Sequence, residues 1–266
     1  MNQAEKATEE LRTIDALASI DSPYHAIDPL CRLIVTMLYI VVTVSYDKYD
    51  FNGLFIMLLF PVFAYQMSYI PVSTCFRKLK IVLPLVCAVG IFNPFFDTKP
   101  LLYIGSLAVS GGVVSMLTLM LKGIYCLMAS FLLVATSGVE QICWALRRLH
   151  LPKMLTSMLL LTFRYVSVLL EELSIMTDAY HLRAPRQKGI EFKAWGSFAG
   201  QLLLRTMDRA SALYESMELR GYNGEFYYTE KRSFSGFSVP FLIITCALIL
   251  SVRYLHPAAL LGALFT

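Results

Sequence analysis

The chain has 266 residues, of which 57% are hydrophobic, 13% aromatic and 16% charged, with a formal net charge of +4 and a mean hydropathy of +0.60. Ordinary soluble domains carry roughly 45–50% apolar and about 25% charged residues, so this balance excludes a soluble globular enzyme, and it is the reverse of a disordered composition. The class it leaves is an all-α membrane protein, with about five to six transmembrane helices and long amphipathic helices on the cytoplasmic face.

Residues 1–28 hold two basic and six acidic side chains. With no apolar core of its own, this stretch is expected to be an amino-terminal cytoplasmic segment, 1–29, and not a cleavable signal peptide. Asp28-Pro29 opens a first apolar run over 33–46 that extends back through Cys31 and Arg32. A polar turn follows at 47–50, then a second span over 51–70 that Pro61 should kink. Arg77, Lys78 and Lys80 read as a basic loop before a third span at 81–96, which contains Pro84 and ends at Asn93-Pro94-Phe95-Phe96. After a turn at 97–100, the run 101–109 is too short to span and reads as a re-entrant or interfacial piece. Residues 113–136 form a fourth span and 237–254 a last one. The transmembrane region is therefore drawn at 30–136, with a carboxyl-terminal helix in 236–266.

The basic loop at 77–80 places that side of the membrane in the cytoplasm, against the single lysines Lys48 and Lys99 on the other. The amino terminus and residues 137–235 then lie inside as well. This region holds 23 of the 42 charged residues, and helices are predicted over 139–149, 152–183 and 192–220. Met154 to Leu170 is apolar enough to dip into the bilayer. In the last of these helices Leu203, Met207, Ala210, Tyr214 and Met217 recur at three- and four-residue steps and make one apolar stripe, while Arg205, Asp208, Arg209, Glu215 and Glu218 fall opposite. Such a helix lies along a surface. The one before it mixes Glu171, Glu172 and Asp178 with Leu169, Leu170, Leu173 and Met176.

Both long helices end alike, at Leu182-Arg183-Ala184 ahead of Pro185 and at Leu219-Arg220-Gly221, where Gly221 suits a left-handed cap. A cation at a helix carboxyl end is worth about 0.3–1 kcal/mol against the macrodipole, which is sufficient reason for one arginine. Two in matching positions make a pair of guanidinium forks suited to carboxylates on a partner.

Other chemistry is not legible. The chain has no P-loop, dinucleotide, zinc-protease or serine-hydrolase motif. Its four histidines and six cysteines are scattered without metal-ligand spacing, so neither a catalytic residue nor a metal site is assigned. The cysteines read as small core residues. The basic residues form no stripe interleaved with aromatics, which argues against nucleic acid. Lys122 is the one charge inside an apolar run, a functional suspect by default that also has the readings of a snorkelling side chain or the mark of a helix end.

Arg147-Arg148-Leu149-His150-Leu151-Pro152, Phe163-Arg164-Tyr165, Leu170-Glu171-Glu172, Leu182-Arg183-Ala184, and above all the run from Leu203 to Ala210 with Tyr214-Glu215-Ser216-Met217 and Leu219-Arg220-Gly221-Tyr222 resemble the transmembrane (T) component of energy-coupling factor transporters. The likeness covers nearly the whole chain. Asn93-Pro94-Phe95-Phe96-Asp97 and the segment 11–22 resemble its cobalt-type branch. The resemblance implies a non-catalytic, multi-pass scaffold of a bacterial-type plasma membrane. Such a scaffold joins a substrate-binding membrane subunit to two cytoplasmic ABC ATPase subunits, which hold the ATP and magnesium; no cofactor is implied on this chain. It also implies ATPase docking through Leu182, Arg183, Ala184, Leu219, Arg220 and Gly221, with Arg164, Glu171, Glu172, Arg205, Asp208 and Arg209 supporting the coupling helices. Ala184 and Pro185 depart from the family's glycine context, so the first helix end is expected to differ in shape. Cobalt, nickel and vitamin systems stay open, because another subunit captures the substrate. From a different class, an intramembrane lipid-modifying enzyme would use Glu171, Glu172 and Asp178, and a self-sufficient channel or carrier would line its spans with polar groups.

Overall fold

A computed structural model of the chain describes residues 3–47, 51–91, 100–104, 107–185, 187, 189–224 and 236–255. In order these form α1 (Gln3–Ala18), α2 (Pro29–Val44), α3 (Phe51–Met57), α4 (Leu59–Ser68), α5 (Val72–Ile91), β1 (Pro100–Ile104), β2 (Leu107–Ser110), α6 (Gly111–Arg148), α7 (Lys153–Arg183), α8 (Phe192–Leu219) and α9 (Ser238–Leu255). They fall into two compact units, one of Met1–Ala16 with Gly138–Lys231, the other of Leu17–Ser137 with Arg232–Thr266. The helices α6 and α7 are long and apolar enough to cross a membrane, and Pro29–Val44, Gly53–Ser68 and Ser238–Tyr254 are shorter apolar helices.

Within the second unit, α2 begins where the sequence predicts. The Asp28 carboxylate accepts the Leu30 N–H at 2.9 Å, and Pro29 stands where no amide partner is needed. The Asp28 N–H in turn donates to Ser238 Oγ at the start of α9, 3.0 Å away. One packed cluster joins Val35, Tyr39 and Val42 of α2 to Leu54 and Met57 of α3, Tyr125 and Ala129 of α6 and Ile249 of α9. A second joins Tyr24, Ile27 and Cys31 to Ala64 and Tyr65 of α4, Cys75 of α5 and Met128, Leu132 and Ala135 of α6.

Lipid tails are as apolar as these side chains, so close packing and interhelical hydrogen bonds must hold the helices together. Tyr65 donates to the Met128 carbonyl across α4 and α6 at 3.1 Å. Gly123 of α6 lies so close to α5 that a Cβ there would meet Val86 Cγ1 at 2.8 Å. The cysteines described are free thiols, with Cys31, Cys75 and Cys143 buried, as small core residues should be.

The interruption expected in the span at 51–70 is present: it is two helices that part at Leu58, ahead of Pro61. Proline has no N–H for the carbonyl four residues back and its ring crowds that carbonyl. The carbonyl concerned is Met57, and Tyr39 Oη donates to it at 3.1 Å. Residues 77–80 are not a loop but part of α5, because arginine and lysine are good helix formers and nothing interrupts them. The run 101–109, expected as a re-entrant or interfacial piece of an all-α fold, is a hairpin: β1 and β2 pair antiparallel, Leu102 opposite Val109 and Ile104 opposite Leu107, so the described residues are helical apart from it and the all-α expectation is corrected there. Short apolar strands separated by Gly105-Ser106 carry that signal in the sequence. The turn at 97–100 and the end of the third span lie largely outside the described residues.

Lys122, the charge inside the fourth apolar run, stands at a helix end. Its Nζ donates to the carbonyl of Tyr46 and, at 3.3 Å, to that of Val44, and Arg253 Nη2 donates to Ser45 at 3.1 Å from α9 while lying over the Tyr46 ring. Two cations thus cap the carboxyl end of α2, where orphan carbonyls and the dipole favour them. Hydrogen bonds to charged groups contribute about 1.5–3 kcal/mol, so Lys122→Met should lower the thermal unfolding midpoint in detergent by about 3–10 °C. Lys122→Arg should recover most of it; an unchanged midpoint for Lys122→Met would remove the capping role.

Candidate functional site

Within the unit that contains Gly138–Lys231, α7 and α8 present the two arginine termini. α7 stops because Pro185 disfavours further helix: Ala184, at φ −128° and ψ 66°, still gives its N–H to Tyr180 at 3.0 Å, and the helix goes no further. Arg183 is therefore the last helical residue, exposed, with Leu182 beside it 84% exposed.

The end of α8 is built differently. The Tyr222 N–H returns to the Met217 carbonyl and the Gly221 N–H to that of Glu218, both at 2.9 Å, with Gly221 at φ 82°. This is the Schellman arrangement, which requires a left-handed residue after the cap. A Cβ on Gly221 would meet nothing within 4 Å, so glycine is needed there for its backbone and not for space. Arg220 is the cap itself, exposed, and its neighbour Leu219 is 89% exposed. Among the described residues neither Arg183 nor Arg220 meets a carboxylate. Each helix thus ends in an aliphatic side chain and a guanidinium directed at solvent, one on a tight glycine turn and the other on an open proline turn.

The Tyr180 hydroxyl bridges the connection between the helices. Tyr180 Oη donates to Gln187 Oε1 at 2.7 Å and accepts the Glu191 N–H at 3.2 Å, ahead of α8. Nothing in the sequence singled out Tyr180, because a hydrogen bond to a loop seven residues away leaves no periodic trace. Further up, Glu172 and Arg205 form an ion pair between α7 and α8. With Arg205 52% exposed, such a pair is worth about 0–1 kcal/mol. Phe198 is the buried residue of α8, and Leu203, Met207, Ala210 and Tyr214 of the apolar stripe are exposed. Few buried contacts hold α8 to α7, the condition under which elements move at low cost.

The remaining candidates do not converge. Arg164, Asp208 and Arg209 are exposed. Glu171 lines a cleft of about 640 Å³ with Glu9, Arg12 and Asp15 of α1 and Ser167 and Ser174 of α7. Glu171, Glu172 and Asp178 therefore share no site, since Glu172 is engaged by Arg205 and Asp178 is exposed. Among the described residues no three histidine, cysteine or acidic side chains are placed to hold a metal ion.

Comparison with known proteins identifies the family of the chain. The cobalt transport protein family, CbiQ, matches residues 21–229. The nickel permease LarQ of Lactiplantibacillus plantarum is 29% identical over 91 residues, 34% of this chain and 33% of that protein. The cobalt transport protein CbiQ of Salmonella typhimurium is 28% identical over 119 residues, 44% of this chain and 52% of that protein. The cobalt transport protein CbiQ of Rhodobacter capsulatus is 32% identical over 116 residues, 42% and 47% of the two chains. The chain thus spans between a third and about half the length of these curated relatives.

Proposed function

The chain belongs to the CbiQ family of cobalt transport proteins, a branch of the energy-coupling factor T components, and on that premise we propose that this integral membrane protein is the coupling scaffold of an ATP-driven importer. The observation that carries the proposal is the pair of exposed Leu-Arg helix ends, at Arg183 and Arg220, on consecutive helices of one compact unit. Each guanidinium docks into one of two ABC ATPase subunits, which bind the ATP and magnesium. The spans are α2, the broken α3–α4 pair, α5, the first part of α6, and α9, with the apolar start of α7 dipping into the bilayer from the cytoplasmic side without crossing it, in a bacterial-type plasma membrane.

ATP distinguishes the open from the closed ATPase pair, and a ligand shifts only an equilibrium whose states it distinguishes. Closure draws the two arginines together. Because α7 and α8 share one weak ion pair and little buried surface, that movement becomes sliding of one helix on the other. The exposed stripe of Leu203, Met207, Ala210 and Tyr214 then shifts the membrane subunit that captures the metal. Arg164, Asp208, Arg209 and Glu171 keep the opposite faces solvated.

The metal is cobalt in this reading, and the likeness to a nickel permease favours nickel as the second. Proteoliposomes test both. The chain alone, or with the ATPases alone, should neither hydrolyse ATP in step with transport nor take up radioactive cobalt, and uptake should appear when the substrate-binding subunit is added. Uptake or hydrolysis by the purified chain by itself would replace the scaffold with a carrier or an enzyme, and preferential nickel uptake by the full assembly would change the cargo.

A further inference from the structure

We propose that the turn joining α6 to α7 is a binding site for the headgroups of anionic phospholipids. Residues 141–170 contain no aspartate or glutamate, yet they hold Arg147, Arg148, Lys153 and Arg164, and three of these, with His150, stand within seven positions at the turn. The turn is rigid. The Leu151 N–H returns to the Leu146 carbonyl at 3.4 Å and the His150 N–H to that of Arg147 at 3.1 Å, with His150 at φ 65° in the left-handed position of a Schellman cap. The Pro152 carbonyl then accepts the Leu155 N–H at 3.0 Å and opens α7. The basic residues are thus carried on a defined backbone turn, with Arg147 half-buried.

Their surroundings choose lipid over an acidic protein. The Arg148 guanidinium lies 4.8 Å from the centroid of the Trp144 ring, an aromatic–cation pair of the kind that sits at headgroup level. Arg148, Leu149, His150 and Lys153 are exposed, and directly after them Met154, Leu155, Met158 and Leu159 are exposed on the first turns of α7. Between Lys153 and Met154 the surface passes from cationic to apolar, as it does across the boundary between headgroups and acyl chains. An acidic protein segment would complement the charges but leave that apolar face in water. A headgroup with its two chains covers both, and an anionic one gains from each nearby cation.

The chain has two tryptophans, so Trp195→Phe leaves Trp144 as the reporter at the site. The full-length variant is reconstituted in vesicles of equal parts phosphatidylglycerol and phosphatidylcholine, with brominated chains on one lipid or on the other. Bromine quenches indole at contact, so the quenching ratio reads which lipid lies against Trp144. We expect brominated phosphatidylglycerol to quench about twofold more than brominated phosphatidylcholine at low salt, with the ratio falling toward one near 1 M salt as charges are screened. Arg147→Gln, Arg148→Gln and Lys153→Gln together should bring it to one at low salt, whereas Arg147→Lys, Arg148→Lys and Lys153→Arg together should preserve it. Equal quenching by both lipids at low salt overturns the proposal. Equal quenching with loss of ATPase copurification in the glutamine variant also overturns it, and makes the cluster a protein-docking surface.

Discussion

Reversing both helix-end charges, Arg183→Glu with Arg220→Glu, should strip the ATPase subunits from the purified protein and abolish metal uptake. Truncating one member of a charge pair buried at an interface costs about 2–5 kcal/mol, equivalent to roughly 30- to several-thousand-fold in affinity. Reversal adds repulsion from the carboxylates the arginine formerly met, so each glutamate should be worse than the matching alanine, and the double variant worse than either single one. The fold should persist with a modestly lower unfolding midpoint. Both arginines are exposed and meet no carboxylate among the described residues, so what folding loses is the helix-dipole contribution of about 0.3–1 kcal/mol at each end, with a smaller loss for alanine than for glutamate. Copurification, uptake and the unfolding midpoint, measured on the same preparations, check this. A double variant that retains ATPase and full uptake would refute docking through these residues.

The features legible in the sequence are those whose cause is local. Asp28-Pro29 caps α2 because the side chain and the amide it satisfies are two residues apart. Gly221 closes α8 because a left-handed turn after a helix selects glycine within its own few residues. The different ends of α7 and α8 follow likewise from Ala184-Pro185 against Gly221-Tyr222. What stays hidden depends on partners far along the chain. The role of Lys122 is set by carbonyls 76 and 78 residues away, and the partner of Glu172 stands 33 residues on at Arg205. The basic residues 77–80 show a third limit: charge predicts which side of a membrane a segment prefers, but not whether its backbone is a loop or a helix. In the hairpin the apolar run was too short to distinguish strand from interfacial helix by periodicity, and the Gly105-Ser106 pair between the strands was the informative signal.

Gly138 is where these local and distant causes meet, and Gly138→Ala should impair uptake while leaving the ATPases bound. Its φ of 58° and ψ of 163° lie in a region open essentially to glycine alone, and holding another residue there costs of order 1–3 kcal/mol. Alanine also favours continuous helix over glycine by about 0.8–1 kcal/mol, so both effects push α6 to straighten. The break has been stabilised from outside. The Thr136 carbonyl, which in an uninterrupted helix would accept the N–H of residue 140, accepts Nη1 of the fully buried Arg32 at 2.5 Å. The cation thereby stands at the carboxyl end of the first segment of α6, the favourable end of its dipole. Straightening returns that carbonyl to the helix and takes one acceptor from a buried guanidinium, and a hydrogen bond to a charged group is worth about 1.5–3 kcal/mol. Gly138→Ala is thus caught between a strained break and a straight helix that removes a hydrogen bond from Arg32. Arg183 and Arg220 are unchanged in it, so ATPase should still copurify while uptake falls by tenfold or more, about 1.4 kcal/mol or greater in the coupled step. Arg32→Met should show the same separation with a lower unfolding midpoint. Full uptake and an unchanged midpoint in Gly138→Ala would mean that the break does not matter to function, and loss of the ATPases would mean that it acts through folding of the docking helices.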